Sequence, residues 1–511
     1  MRRHVHVQGR TLLYRLSLDG ELEFKKVEVT TVDHGFEDIP QSGLSWIALE
    51  FEATCDETLS ARFLLEQTLA DDTVHTTALE PAKTNWVKIQ DATHVRVHYR
   101  LSGEGTMRVT PLRLQGVTDT KPFAPPEANT LVISTAYPHE SHLYRHGFIH
   151  TRLLEYARRG VRPLVHIVRS ETDVIRTYEH EGIDVIEAAP LYGEWIARKS
   201  GATSLLIHFL NETIYEMIRQ FEPRIPAVVW VHGVETEAWY RRWFQYLDNA
   251  KDLREAIRLK ERKERQLDLM ARLYRGDDEN VSFIHVSEWF KSHVAEVDAK
   301  QVTTRSATIP NPIDDRHFQY TPKTPEHRFH VLSIRPYHTT KYGNDLAVAA
   351  VLALRNEPWF NDVTFSFYGD GPLFDETLAE IRKLPNIIVE RRFLSSEKIY
   401  ELHQANGIFL CPTRLDSQGV SMCEAMSSGL VPVTNDVAAI SEFVEDGKSG
   451  QLAPAEDVAA LAAHLKSLIE DEDLFLQVSA AASRHIQAKC GIDRVVAEEI
   501  AWFSKMSSTC N

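Results

Sequence analysis

The chain has 511 residues, 43% hydrophobic and 25% charged, a globular composition long enough for roughly three domains. Its net charge of −16 excludes nucleic acid as a bulk electrostatic partner. No apolar run approaches the roughly 18–20 residues of a membrane-spanning helix, and five scattered cysteines without ligand spacing point to a reducing compartment, the cytoplasm.

The opening "MRRHVHVQGRTLLYRL" has basic residues but no continuous apolar core, so no secretory signal is expected. Over residues 1–122, "ELEFKKVEVTTV", "LSWIALEFEA", "THVRVHYRLSG" and "GTMRVTPLRLQGV" alternate apolar and polar residues. That period of two predicts short antiparallel strands, hence an N-terminal antiparallel β-sandwich domain. Trp46 and Trp86 are equally good core residues there. The proline-rich "TDTKPFAPPEANT" (118–130) reads as a linker.

Beyond it, "TLVISTAYP", "RPLVHIVR", "IDVIEAA", "AVVWVHG" and "VSFIHVS" are apolar throughout, with helical segments between them, including one through 203–221. Such strands belong to a parallel sheet covered on both faces. The histidines at 139, 142 and 146 lack metal-ligand spacing and are read as loop residues. The stretch 249–275 mixes both charge signs and reads as a solvated helix. A second α/β series follows "ATIPNPIDDRHF", with strands "HVLSIRP", "VTFSFYGDG", "NIIVERRF", "GIFLCP" and "LVPVTND". Ligands in such sheets bind at the carboxyl ends of the strands.

Candidate chemistry falls at those ends. In "TRLDSQGVSMCEAMSSGLVPVTND", Asp416 and Glu424 have seven residues between them, and a helix starts near Gly419. A helix N-terminus attracts anions, and Glu424, one turn in, leans back toward it. The plainer alternative is a loop acid and a surface helix acid. Arg335 and Lys341 in "SIRPYHTTKYGND" are either two solvated cations or the charge that stabilises a diphosphate. Gly369 and Gly371 read as a tight turn. Cys411 and Cys423 read as buried thiols.

In this order and spacing, "IPNPID", "SIRP…KYG", "YGDGPL", "PTRLDSQGVSMCEAMSSGLVPVT" and "AAISEFVEDGKSGQLAP" resemble glycosyltransferase family 4, retaining enzymes of the GT-B fold with two facing Rossmann-like domains. The resemblance covers roughly 130–490. It implies an acceptor domain at 130–312, completed by a C-terminal helix over 491–511, and a nucleotide-sugar donor domain at 313–490. By residue, it implies catalytic roles for His232, Asp416, Arg335 and Lys341. Donor binding is implied for Gly147, Arg335, Lys341, Asp416, Ser417, Gln418, Gly419, Val420 and Glu424. Asp416 would face the sugar and Glu424 the ribose, and Glu442 matches a further family acid. A lone histidine after an apolar strand, such as His232, can equally be structural.

The sequence departs from the family pattern in four places. Asp416 stands where the first acid is usually Glu, "SQG" replaces a glycine–aromatic–glycine run, Asn311-Pro312 replaces Asn-Gly, and Ala438-Ala439 replaces a glycine pair. The expected activity is metal-independent, cofactor-free transfer of a hexose-type sugar, from UDP by preference, to a glycan or lipid-linked acceptor in envelope polysaccharide assembly. Further expectations are peripheral contact at the inner face of the membrane and homo-oligomerisation through the β domain. The alternative is a non-catalytic sugar-binding partner that stabilises another transferase.

Overall fold

The computed structural model describes residues 13–16, 21–33, 43–110, 112–139, 146–245 and 250–509, with side chains from 43 to 506. His142 and most of the 137–147 loop lie outside them, as does Cys510. The chain forms two compact units, one of residues 1–146, 161–205 and 213–224, the other of 147–160, 206–212 and 225–511.

In the first unit the alternating N-terminal segments form antiparallel strands, as their period requires. Ala92–Val109 pairs with Glu21–Asp33 and with Leu59–Leu69. It is one strand running through Gly103 and Gly105, where the sequence suggested two. A second path runs from Arg113–Val117 through Trp46–Glu50 and Thr84–Lys88 to Val174–His180. That last strand is antiparallel to Ile183–Ala188, which continues in parallel to Pro163–Val168 and Thr130–Ser134. The expected boundary at 122 is therefore bridged by a continuous ladder. Val174 joins the core of Ile47, Leu65, Val87 and Tyr99.

The expected linker is also packed. Phe123 lies between Trp86 and Trp195, at 5.1 and 5.4 Å, and Trp46 Nε1 donates to the Thr120 carbonyl at 3.2 Å. Trp46 is buried, and Trp86 donates to Thr177 Oγ1.

In the second unit Ala227–Val231, Val281–His285 and Ser306–Thr308 are parallel neighbours. The segment expected as a helix through 203–221 is instead the strand Ser204–His208 and the helix Glu212–Ile218. A five-residue apolar run cannot be told from a buried helix by periodicity alone. The remaining six strands are all parallel, in the order Ile387–Arg391, Thr364–Gly369, His330–Ile334, Ile408–Leu410, Val431–Asn435, Gln451–Ala453.

Numbered along the chain, that order is 3-2-1-4-5-6, the doubly wound Rossmann order, which reverses between His330–Ile334 and Ile408–Leu410. The edge strand Ile387–Arg391 packs one face only and leaves Ile388 exposed, whereas alternate residues of the other strands feed two cores. Val331, Phe365, Phe367, Ile408 and Leu410 enter one, while Leu332, Tyr368 and Phe409 enter the other. Burial on both faces is the physical reason these strands read as unbroken apolar runs.

Candidate active site

Arg335 leaves the central strand at its carboxyl end, beside the reversal of strand order. Its guanidinium is buried, and Nη1 donates to Ser421 Oγ at 3.1 Å in the first turn of the Val420–Ser427 helix. Its Nε is buried with no partner among the described residues. Lys341 sits in the short Thr340–Tyr342 turn. The ring of Tyr342 takes both cations, with the Arg335 guanidinium 4.9 Å and the Lys341 ammonium 5.3 Å from its centroid. Neither cation has a carboxylate within ion-pair distance among the described residues. Arg335 thus stands at a helix N-terminus whose first amides have no acceptor within the helix, and Lys341 adds a second positive charge across the shared Tyr342 ring.

The backbone here is shaped by close approach. A Cβ on Gly369 would fall on the Arg335 carbonyl, and one on Gly371 would meet the backbone of Tyr337; both have strongly positive φ. The turn expected from these glycines is thus what lets the strand end beside Arg335. Gly343, at φ +56, passes within contact of Pro412.

Arg414, which the sequence reading passed over, pins the two loops together. It donates to the Thr340 carbonyl at 2.7 Å and forks onto Asp345 and Glu456, while its own N–H binds the Lys341 carbonyl.

The following loop carries Asp416, half-buried, whose carbonyl accepts from the Ala439 N–H at 3.3 Å. Ala438 adopts φ +49, a conformation that favours glycine, so this chain carries backbone strain where the related pattern has a glycine. The Ser417 hydroxyl donates to the His232 carbonyl at 2.8 Å. Gly419, left-handed at φ +82, caps the helix and lets the loop turn into it.

The Gln418 side chain is buried and engaged with Asn311, accepting from the Asn311 N–H at 2.7 Å and donating to its carbonyl at 3.0 Å, so the backbone amide is the part of this residue that the expected donor contact concerns.

Glu424 is half-buried one turn into the helix rather than on a solvated face, and desolvation pushes its carboxyl pKa up to about 8. Glu442 is engaged as a cap, its carboxylate accepting from the N–H groups of Glu288, at 3.1 Å, and of Trp289. Cys411 and Cys423 are buried, and burial raises the Cys411 thiol to about 12, leaving it unreactive.

His232 follows the Ala227–Val231 strand. Its ring stacks on His208 at 5.2 Å, with Nε2 2.9 Å from His208 Nδ1, and the rings of Phe148 and Phe209 lie 5.0 and 4.9 Å away. His208 was hidden in the segment read as helix; the signal was "SLLIH", which mirrors "VVWVH". The His232 and Gly233 amides donate to Glu235, whose carboxyl burial pushes up to about 7. Gly147 opens the Gly147–Arg158 helix next to Phe148. Beside the Lys341 turn, the Gln245 side chain donates to Thr339 Oγ1.

The structure thus brings Arg335, Lys341 and the Val420–Ser427 N-terminus together, and ties the Asp416–Ser417 loop to the strand bearing His232.

Residues 328–471 match the family described as Glycosyl transferases group 1. The amylovoran biosynthesis glycosyltransferase AmsK of Erwinia amylovora is 29% identical over 157 residues, which are 30% of this chain and 39% of that relative. The chain spans between 23% and 39% of three such curated relatives. Among solved structures, sucrose-phosphate synthase from Thermosynechococcus elongatus aligns with a TM-score of 0.58 at 12% identity, over 74% of this chain and 99% of that one. HepE of Anabaena, in complex with UDP and glucose, aligns with a TM-score of 0.53 at 15% identity, over 74% of this chain and 100% of that one. At these identities the likeness is one of fold, and it supports an α/β, GT-B-like class.

Proposed function

We propose that this chain is a retaining glycosyltransferase of family 4 that moves a hexose-type sugar from a nucleotide diphosphate, UDP by preference, to a glycan or lipid-linked acceptor. The observation that carries the reading is the pair of uncompensated cations, Arg335 and Lys341, sharing Tyr342 beside a helix N-terminus at the reversal of strand order. A diphosphate leaving group needs fixed positive charge where its own negative charge develops, and preorganised cations and amides supply it without reorganisation. Asp416 accepts from sugar hydroxyls, Glu424 from the ribose diol, and the 417–420 loop lies along sugar and phosphates.

The acceptor hydroxyl attacks the anomeric carbon from the side of the departing phosphate, which takes its proton, so configuration is retained. His232 stands by the donor sugar, with its ring held by His208, Phe148 and Phe209. Fixed cations in place of a bridging metal make the reaction metal-independent, and no cofactor is required.

Peripheral membrane contact is supported by exposed Leu253, Ile257 and Leu259 on the Ala250–Arg275 helix, which carries nine basic and five acidic residues, and by exposed Tyr240 and Trp243 before it. No helix among the described residues is long and apolar enough to cross a membrane. The exposed terminal strand Arg113–Val117 is the surface on which homo-oligomers would form.

The test is calorimetric binding of UDP, GDP, ADP and their sugar conjugates, with and without EDTA, followed by NMR assignment of the product anomer. Binding to one nucleotide series, unaffected by EDTA and weakened in Glu424→Ala, is the expected result. Binding of no nucleotide sinks the reading. Binding without hydrolysis or transfer to any acceptor would favour the sugar-binding partner.

A further inference from the structure

We infer that Gln418, together with the buried Arg152–Glu499 pair behind it, positions the loop that carries Asp416 and Ser417. The placement of that loop is then set by the last helix of the chain, Ile492–Thr509. The inference rests on the loop's proposed role toward the donor, although its structural half can be tested without one.

The relay is continuous and buried. Glu499 is fully buried and its carboxylate accepts four hydrogen bonds. Oε1 takes Arg152 Nε at 2.9 Å and Trp230 Nε1 at 3.1 Å; Oε2 takes Arg152 Nε at 3.0 Å and the Tyr156 hydroxyl at 2.7 Å. The Arg152 guanidinium, 5.5 Å from the Trp230 ring centroid, donates through Nη2 to Asn311 Oδ1 at 3.1 Å. The Asn311 backbone then forms the reciprocal pair with the Gln418 amide. Alongside, the Ile313 N–H donates to the Cys490 carbonyl at 2.8 Å, and the Ile492 N–H donates to Asp315 at 3.2 Å. The 311–315 segment therefore runs beside the entrance to the last helix and is held from both sides.

Residue identity matters at each step. The Gln418 amide offers Asn311 an acceptor and a donor at once, which an ionised carboxylate or an apolar side chain of the same length cannot do. An ionised glutamate, the form to be compared at alkaline pH, would set an oxygen against the Asn311 carbonyl; an apolar residue would leave two buried backbone groups unpaired. Arg152 cannot stay in an apolar interior without Glu499. The side chains of Gln418, Arg152 and Glu499 are each bonded within the relay. They act through Asp416 and Ser417, the first of which is only two residues from Gln418.

The experiment compares the full-length parent with Gln418→Met, Gln418→Glu and Glu499→Gln. Hydrogen exchange of the 413–421 amides is read first, without nucleotide. Donor and acceptor KM and kcat are then read with UDP-glucose or whichever sugar nucleotide the parent binds. Exchange over 413–421 is expected to quicken on the order of tenfold, and donor KM to rise by a similar factor, while acceptor KM and kcat stay within about threefold. A general loss of structure would move the melting temperature and all kinetic constants together.

If Gln418→Met and Gln418→Glu melt near the parent temperature with unchanged exchange and donor KM, the inference is overturned. Should Glu499→Gln not fold, the two Gln418 variants decide. If the parent binds no nucleotide, the proposed function fails alone, and the exchange measurement still rules on the relay.

Discussion

The Ser417 hydroxyl is hydrogen-bonded at 2.8 Å to the carbonyl of His232, 185 residues earlier in the chain. One side chain thereby joins the loop after the Ile408–Leu410 strand to the end of the Ala227–Val231 strand. Removing it in Ser417→Ala leaves the His232 carbonyl without that donor. A loss of about 0.5–1.5 kcal/mol is expected, divided between stability and sugar-nucleotide affinity. Thermal melts and titration calorimetry on the same preparation separate the two shares.

Arg335→Lys keeps the charge but not the fork that reaches Ser421, nor the flat face against Tyr342. Transfer should fall by roughly 10²–10³, as for loss of one preorganised charge donor, with folding little affected. Single-turnover kinetics at saturating donor would read this loss; full activity in the lysine variant would remove Arg335 from the chemistry.

Glu424 has a folded pKa of about 8 against an ordinary 4.5, through desolvation. A raised acid pKa contributes stability that is complete below about pH 4.5 and is lost as pH climbs toward 8, because ionisation is harder in the folded state. Glu424→Gln should therefore melt higher than the parent at pH 8.5, by on the order of 1–3 kcal/mol in stability, and equal it near pH 5. Ribose binding favours the ionised form, so parent nucleotide affinity should climb between pH 6 and 8 while the glutamine variant stays flat. A parent profile without slope would dissociate Glu424 from the nucleotide.

Gly369→Ala sets a methyl group on the Arg335 carbonyl at a backbone angle of φ +153. A cost of about 1–3 kcal/mol is expected, together with weaker nucleotide binding as the strand end shifts. Urea denaturation provides the first number and calorimetry the second. An alanine variant as stable as the parent would mean that the two strand ends can separate freely.

Much of this molecule is legible in its sequence. Four of the five strands read between residues 330 and 435 were visible as apolar runs because both their faces are buried, the edge strand Ile387–Arg391 being covered on one face only, and the period-two pattern before residue 118 betrayed antiparallel strands. The cationic and acidic residues at the strand ends, Arg335, Lys341, Asp416 and Glu424, stood out through spacing and resemblance. Local pattern failed where it was ambiguous, as in the 203–221 segment, whose short apolar run is a strand ending in His208.

The partners of these residues could only be decided by the tertiary structure. That Gln418 turns inward to Asn311, that Tyr342 serves two cations, and that Glu499 on the last helix neutralises Arg152 depend on contacts between residues up to 347 positions apart. Secondary structure follows from neighbours along the chain, whose side-chain period is local. Which strand ends meet follows from the 3-2-1-4-5-6 order and from burial, which forces each interior polar atom to find whatever partner the packing brings near.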